Sequence, residues 1–104
     1  MYSRHVTFDL KPITREELTQ LFDREILPLL QKQNGFGDEM TFIDQDGKQA
    51  LAISLWESKE SADTYVRETY PQVLKSLSRV IEGKPQVRGY DVAVSTFHRA
   101  AATV

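Results

Sequence analysis

The chain contains no cysteine, no run of basic residues and no long apolar segment, and each absence excludes a class of protein. Without cysteine there is no disulfide, no thiolate metal site and no thiol nucleophile, which fits the cytoplasmic location that we expect. A formal net charge of −2 and the lack of Lys and Arg runs argue against nucleic-acid binding. No window approaches the roughly 18 apolar residues of a membrane span, and the N-terminal segment lacks a signal-peptide core, so no membrane partner is predicted.

The composition is that of one ordinary globular domain. The 104 residues are near the common domain size, and 40% of them are hydrophobic and 27% charged. No internal repeat, linker or low-complexity tract divides the chain, so residues 1–104 are assigned to a single domain. Because a domain this small leaves much of its surface exposed, association with a second copy would be a natural supplement.

Alternating apolar residues predict four strands, over residues 2–10, 36–43, 48–57 and 87–97. The sequence DQDG at 44–47 predicts a tight turn between the second and third strands, since Asp-Gly tolerates positive φ angles.

Two helical regions separate these strands. Thr14 begins a capping-box pattern, and Pro28 is expected to kink the helix that follows or to end its regular part. Ser58 is expected to cap the second region, which Pro71 interrupts and restarts before it stops at Gly83. The order β-α-β-β-α-β predicts a ferredoxin-like α+β fold, a four-stranded antiparallel sheet with both helical regions on one face.

The first, third and fourth strands each carry an apolar set that we expect the helices to bury. These sets are Val6, Phe8 and Leu10; Leu51, Ile53 and Leu55; and Tyr90, Val92 and Val94. The opposite face is then expected to hold Thr7, Ala50, Ala52, Ser54, Trp56, Val87, Ala93, Ser95 and Phe97. That set is too apolar for a solvated face, and one small sheet face offers about the 800 Å² per partner of a specific interface. A homodimer built face to face is therefore predicted, and a ligand could occupy the same face.

The sequence resembles the dimeric α/β-barrel superfamily, specifically the antibiotic biosynthesis monooxygenase family. The segments that carry the resemblance are VTFDLKP, NGFGDEMTFID, ALAISLWESKESADTY and PQVRGYDV, nearly the whole chain. The most specific piece is an apolar strand that ends in Trp-Glu-Ser and runs directly into an acidic, alanine-containing helix. The resemblance implies a barrel formed by two sheets across a dimer, with a pocket in each monomer. Some members oxygenate aromatic polyketides without metal or flavin, some degrade haem, and many have no known reaction.

Within this resemblance, Trp56 matches a family tryptophan that lines the pocket, and His5 falls where the family often has asparagine. His5 is the predicted catalytic base or polariser, because a histidine near its unperturbed pKa of about 6.5 can take a substrate proton. Trp56 is the predicted stacking wall for an aromatic substrate. The other interpretations are a solvent-facing histidine and a packing tryptophan. The predicted lining residues are Thr7, Phe36, Ser54, Tyr65 and Phe97.

A distance estimate limits how His5 and Trp56 can cooperate. If the first and third strands are parallel neighbours, these residues lie more than about 10 Å apart at roughly 3.3 Å per residue. They could then flank a large ligand without touching each other.

Other chemistry has weaker support. Haem degradation needs an axial histidine on the second helix, and ADTYVRETY has none. A metal site of His5 with His98 lacks a clear third ligand, and a triad of Asp9, His5 and Ser54 lacks a nucleophile elbow. No cofactor or metal is predicted. The leading hypothesis is a cofactor-independent monooxygenase acting on a small aromatic or polycyclic substrate, and the alternative is a non-catalytic dimer that binds a small ligand or has a stress-related role.

Overall fold

A computed structural model describes residues 1–96 of the chain. Its strands are β1 (Tyr2–Leu10), β2 (Phe36–Ile43), β3 (Gln49–Trp56) and β4 (Ile81–Asp91). Its helical elements are α1 (Arg15–Leu21), a π-helical segment (Phe22–Ile26), α2 (Leu27–Gln31), α3 (Lys59–Glu68) and α4 (Tyr70–Leu77). Within residues 1–96, no helix has the length and apolar character needed to cross a membrane.

The four strands form one sheet in the order β2-β3-β1-β4, and every neighbouring pair is antiparallel. The predicted ferredoxin-like fold is thereby confirmed. The assumption that β1 and β3 are parallel was wrong, because Tyr2 lies opposite Trp56 and His5 lies opposite Ile53. His5 is thus three pairs from Trp56 along the sheet, and an odd offset places the two side chains on opposite faces.

Both predicted helix caps are confirmed. The Glu17 backbone N–H donates to Thr14 Oγ1 at 3.1 Å, and the Ser61 N–H donates to Ser58 Oγ at 3.2 Å. Each bond satisfies a backbone donor that has no partner inside its helix. The break at Thr69, with φ −125° and ψ −34°, separates α3 from α4 immediately before the Tyr70-Pro71 pair.

The first helical region changes its hydrogen-bond register before Pro28. At the end of the π-helical segment the Leu27 N–H donates to the Phe22 carbonyl, five residues back, and α2 then begins with Pro28 in its first turn. Pro28 has no backbone N–H and cannot continue the earlier register. Such π-helical turns are rare and occur often at functional sites.

The predicted boundary between the last helix and the last strand was wrong. α4 ends at Leu77 and β4 begins at Ile81, whereas the pattern predicted helix up to Gly83 and strand over 87–97. Val80 and Ile81 are buried and continue the helical spacing of apolar residues, although Val80 lies in the turn before β4 and Ile81 is the first residue of β4. Apolar spacing alone does not distinguish a helix end from a buried strand end.

The face assignments were right for β1 and wrong for β3 and β4. We call the side of the sheet that packs on the helices the helix-side face, and its opposite the open face. The helix-side face carries Arg4, Val6, Phe8, Glu39, Thr41, Ala50, Ala52, Ser54 and Trp56. The open face carries Ser3, His5, Thr7, Met40, Phe42, Leu51, Ile53, Leu55 and Tyr90. Small residues of β3 fit under the helices because the helices contribute large side chains such as Phe22 and Ile26.

Candidate functional site

A narrow pocket lies between the helix-side face and the helices, with an enclosed volume of about 30 Å³ and about 370 Å³ when its open mouth is counted. Its walls are mostly apolar side chains from β1, the π-helical segment, α2 and α4. The polar groups on its walls are Arg4, Glu39, Ser54, Tyr65 and Tyr70. An apolar cavity with a few convergent polar groups is the usual form of a small-molecule site.

Three of these polar residues form one row across the sheet. Arg4 of β1 pairs with Ser54 of β3, and Ser54 pairs with Glu39 of β2. Because neighbouring strands lie about 4.8 Å apart, the backbones of Arg4 and Glu39 are about 10 Å apart. A basic and an acidic side chain therefore stand on either side of Ser54 in the wall of the pocket.

Arg4 is only 6% exposed. Its guanidinium lies over the Tyr70 ring, 4.1 Å from the centroid, and 5.7 Å from the centroid of Tyr65. Within residues 1–96 the Arg4 side chain makes no hydrogen bond and no ion pair, and its guanidinium lies over these two rings. A buried cation is ordinarily paired with an anion, so this arrangement leaves the charge available to a ligand.

The two tyrosines also bring hydroxyl groups to the site. Burial raises the pKa of Tyr65 above its usual range, so the phenol stays protonated at physiological pH. The Tyr70 hydroxyl is buried and has no hydrogen-bond partner within the described part of the chain. An unpaired buried hydroxyl costs about 1–3 kcal/mol, which a ligand acceptor could recover.

Glu39 is the titratable group of the site. Desolvation by burial raises its pKa to about 7, opposed by a hydrogen bond from the Thr41 hydroxyl. A second cavity of about 500 Å³, again with its mouth, lies beside the first, and Glu39 and Phe22 line both. Glu39 thus stands where the two cavities meet, with a pKa in the range useful for proton transfer at neutral pH.

Trp56 lies directly behind the pocket wall and is fully buried, with 0% of its surface exposed. Its indole N–H donates to Ser54 Oγ at 2.9 Å, and its ring stacks on Tyr65 with centroids 5.0 Å apart. Phe36 packs edge-on against it at 5.5 Å. Of the predicted lining residues, Ser54 and Tyr65 line the pocket itself, while Trp56 and Phe36 support it.

His5 and Thr7 lie on the open face and do not line this pocket. His5 shares a hydrogen bond with Ser3 Oγ at 3.1 Å and contacts the Tyr90 ring at 4.8 Å, and burial lowers its pKa. Phe97 and the possible metal ligand His98 lie outside the described residues. Within residues 1–96 the structure contains no cluster of three or more His, Asp or Glu side chains that could hold a metal.

Sequence reasoning missed three of the polar pocket residues: Arg4, Glu39 and Tyr70. A signal for Arg4 was present, because the alternation of Val6 and Phe8 extends back to it and places it on the buried face. A charged residue in the buried phase of a strand is the informative exception to the hydrophobic pattern.

No family model matches the sequence, and no curated protein matches it either. Many solved structures match the fold. The cofactor-independent oxygenase SnoaB from Streptomyces nogalater has a TM-score of 0.73 at 12% identity, covering 93% of this chain and 97% of that one. The monooxygenase from the gene ActVA-Orf6 of Streptomyces coelicolor, in complex with the ligand Nanaomycin D, has a TM-score of 0.75 at 18% identity, covering 93% and 91%.

A third structure with the same architecture is the NE2512 protein of unknown function from Nitrosomonas europaea. It has a TM-score of 0.73 at 10% identity and covers 93% of each chain. At these identities the likeness concerns the backbone fold, which proteins of different function can share. This chain therefore has the ferredoxin-like α+β fold of the antibiotic biosynthesis monooxygenase-like structures.

Proposed function

We propose that the protein binds a small aromatic or polycyclic substrate in the pocket and oxygenates it without a metal or flavin cofactor, as a homodimer. The observation that carries this proposal is one apolar, aromatic-walled pocket that holds both the buried Arg4 and the carboxyl of Glu39. The fold shared with SnoaB, a cofactor-independent oxygenase, is consistent with it.

The reaction begins with proton removal. Glu39 in its carboxylate form takes the proton of a substrate phenol, because a pKa of about 7 leaves it largely ionised just above neutrality. The positive charge of Arg4 stabilises the phenolate within the same low-dielectric pocket. An electron-rich phenolate can transfer electrons to oxygen directly, which a neutral phenol does poorly.

The overall step balances without another reductant. One phenol and one O₂ give one quinone and one water: one oxygen atom enters the ring and the other leaves with two hydrogens. The substrate supplies both electron pairs, so no flavin or metal is needed to reduce the oxygen.

Oxygen uptake with a panel of hydroxylated aromatics tests the proposal. We expect substrate-dependent uptake of one O₂ per molecule converted, and a loss of at least about 100-fold in rate for Glu39→Gln, the size of a general-base contribution. Glu68→Gln removes an exposed carboxylate of α3 and should leave the rate unchanged.

His5→Ala belongs in the same experiment, because the role of His5 as a base stays a prediction. If His5→Ala lost oxygen uptake while Glu39→Gln kept the full rate, the base would be His5 on the open face and not Glu39. No substrate-dependent uptake by the wild type across the panel would contradict the oxygenase proposal.

A second function, ligand binding without turnover, is favoured by the packing of Trp56. Because Phe36, Ser54 and Tyr65 enclose the indole completely, its face is closed to a ligand. Binding of aromatics by the wild type without oxygen uptake would support this alternative.

The homodimer is supported by the apolar character of the open face. Phe42 and Tyr90 are 50% and 47% exposed there, beside the partly exposed Leu51, Ile53 and Leu55 of β3. The helices pack on the other face, and exposed apolar patches of this kind mark interaction sites. A second copy placed face to face would cover these side chains and enclose His5 between the sheets.

Sedimentation of the wild type is expected to give twice the monomer mass at micromolar concentration. Ile53→Lys places a charge at the middle of the open face and should yield the monomer. Val66→Lys, on the exposed surface of α3, should remain dimeric. A wild-type particle of monomer mass would contradict the dimer.

A further inference from the structure

We infer that the ligand of the helix-side pocket is an aromatic anion, whose charged oxygen pairs with Arg4 while the opposite end of its ring system faces Glu39. This inference rests on the proposed binding role of the pocket and adds the charge and the orientation of the molecule bound there.

Arg4 is a buried cation in the wall of the pocket. Its side chain is more than nine-tenths buried and lines the pocket, and within the described residues its guanidinium lies over two aromatic rings without a hydrogen bond or an ion pair. A cation–π contact is weaker than the free-energy cost of burying an ion that has no partner. The rings of Tyr65 and Tyr70 therefore orient the guanidinium but do not neutralise it.

No carboxylate within residues 1–96 forms an ion pair with Arg4. The ion pairs present within residues 1–96 join Lys59 to Asp63 and Arg79 to Glu25, both at the surface. Glu39, the carboxyl on the same pocket wall, receives its hydrogen bond from Thr41 and forms no ion pair with Arg4. The positive charge is thus left for a bound molecule.

Arg4 and Tyr70 present hydrogen-bond donors at one end of the pocket. A guanidinium presents several N–H donors in a plane, which match a carboxylate or another anionic oxygen. The Tyr70 hydroxyl, which also lacks a partner in the described part of the chain, belongs to the ring over which the guanidinium lies. The charged group and this hydroxyl together favour a ligand end rich in acceptor oxygens.

Arg4 and Glu39 lie at opposite ends of the polar row in the pocket. The backbones of Arg4 and Glu39 are two strand spacings apart, about 10 Å, with the small Ser54 between them. Apolar side chains such as Phe8 and Ile26 form the walls between the two ends. An aromatic ring system laid along this row would place its anionic oxygen at Arg4 and a neutral hydroxyl at Glu39.

Titration calorimetry at about pH 6.5 with matched probe pairs tests this inference. The pair 2-naphthoate and 2-naphthamide differs by a carboxylate, and the pair 2,4-dinitrophenolate and 1,3-dinitrobenzene by a phenolate. We expect the wild type to bind an anion about 10- to 100-fold more tightly than its neutral partner, the size of a charge-assisted hydrogen bond. The pair that shows the larger ratio identifies the carboxylate or the phenolate as the preferred group.

Three variants assign the preference to Arg4. Arg4→Met keeps an unbranched stem without the charge and is expected to bind both members of each pair equally. Arg4→Lys keeps the charge without the planar donors and should retain part of the ratio. Arg67→Met removes an exposed charge from α3 and should leave the ratio unchanged.

Each outcome bears on a different claim. Equal wild-type affinity for charged and neutral probes, or an undiminished preference in Arg4→Met, would overturn the anion inference and leave the aromatic pocket intact. Absence of binding by all four probes would overturn the proposed binding role as well. Since calorimetry needs no turnover, the result is independent of whether the bound molecule is oxygenated.

Discussion

Replacing Trp56 with alanine is expected to lower the free energy of unfolding by about 3–5 kcal/mol, the range for deletion of a large buried aromatic side chain. The indole is fully buried between Phe36 and Tyr65, and its N–H donates to Ser54. The substitution removes all of these contacts and leaves a cavity under the helices. Since a small domain has about 5–15 kcal/mol of stability in total, this loss is a large part of the free energy of unfolding.

Urea unfolding followed by far-UV circular dichroism measures this loss, because the only tryptophan is gone as a fluorescent probe. Trp56→Phe keeps a ring but removes the donor to Ser54, and about 1–3 kcal/mol of loss is expected. Val94→Ala is the control, since Val94 is 89% exposed and should change stability by less than about 0.5 kcal/mol. A loss below about 1 kcal/mol in Trp56→Ala would show that the indole is not a core residue.

The element order could be predicted because its signals are local. A capping residue such as Thr14 or Ser58 acts within one helical turn, and the Asp44–Gly47 turn acts within one hairpin. Gly47 has φ +74° there, a conformation that glycine adopts without strain. Signals of this range need no knowledge of tertiary contacts, so strands and helices appear in the predicted order.

The sequence did not predict which face of β3 packs against the helices, because both faces of the strand are apolar. Alternation separates the set that contains Leu51 from the set that contains Ala50, but it does not say which set meets the helices. The larger set suggested a core, whereas the structure places the smaller set under the helices and leaves the larger set on the open face. Large apolar side chains on one face of a strand indicate that this face is buried. They do not indicate whether the chain's own helices or a second chain buries it.

The same ambiguity explains why the sequence did not identify Glu39 as a pocket residue. In β2 the apolar Met40 and Phe42 alternate with the polar Glu39 and Thr41, which reads as Met40 inward and Glu39 toward water. The structure has the reverse arrangement, because the pocket beside the helices accommodates polar groups and the open face is apolar. A site that violates the hydrophobic pattern is where function and folding make different demands.

The Glu39→Gln substitution is expected to stabilise the protein at about pH 8 by roughly 2–3 kcal/mol, the largest gain from a single side chain that the site offers. Burial raises the pKa of Glu39 from 4.5 to about 7, so between these values the folded state keeps a proton that the unfolded chain has lost. The unfolded state then binds fewer protons, and the free energy of unfolding falls as pH rises through that interval. Glutamine carries no charge at any pH and escapes the loss.

Urea unfolding of both proteins between about pH 4 and pH 8 checks the sign and the size of this effect at a fixed protein concentration. The two curves should coincide near pH 4, where Glu39 is protonated in both states, and separate between about pH 5 and pH 7.5. Glu68→Gln, which removes an exposed carboxylate, should follow the wild-type curve throughout.

A wild type that gains stability relative to Glu39→Gln as pH rises would mean that Glu39 is stabilised as the carboxylate. Glu39 would then be a stable anion and too weak a base for a phenol. If the more stable Glu39→Gln variant keeps its activity, the Glu39 carboxyl takes no part in the reaction. If the variant loses its activity, the protein maintains a destabilising carboxyl because catalysis requires it.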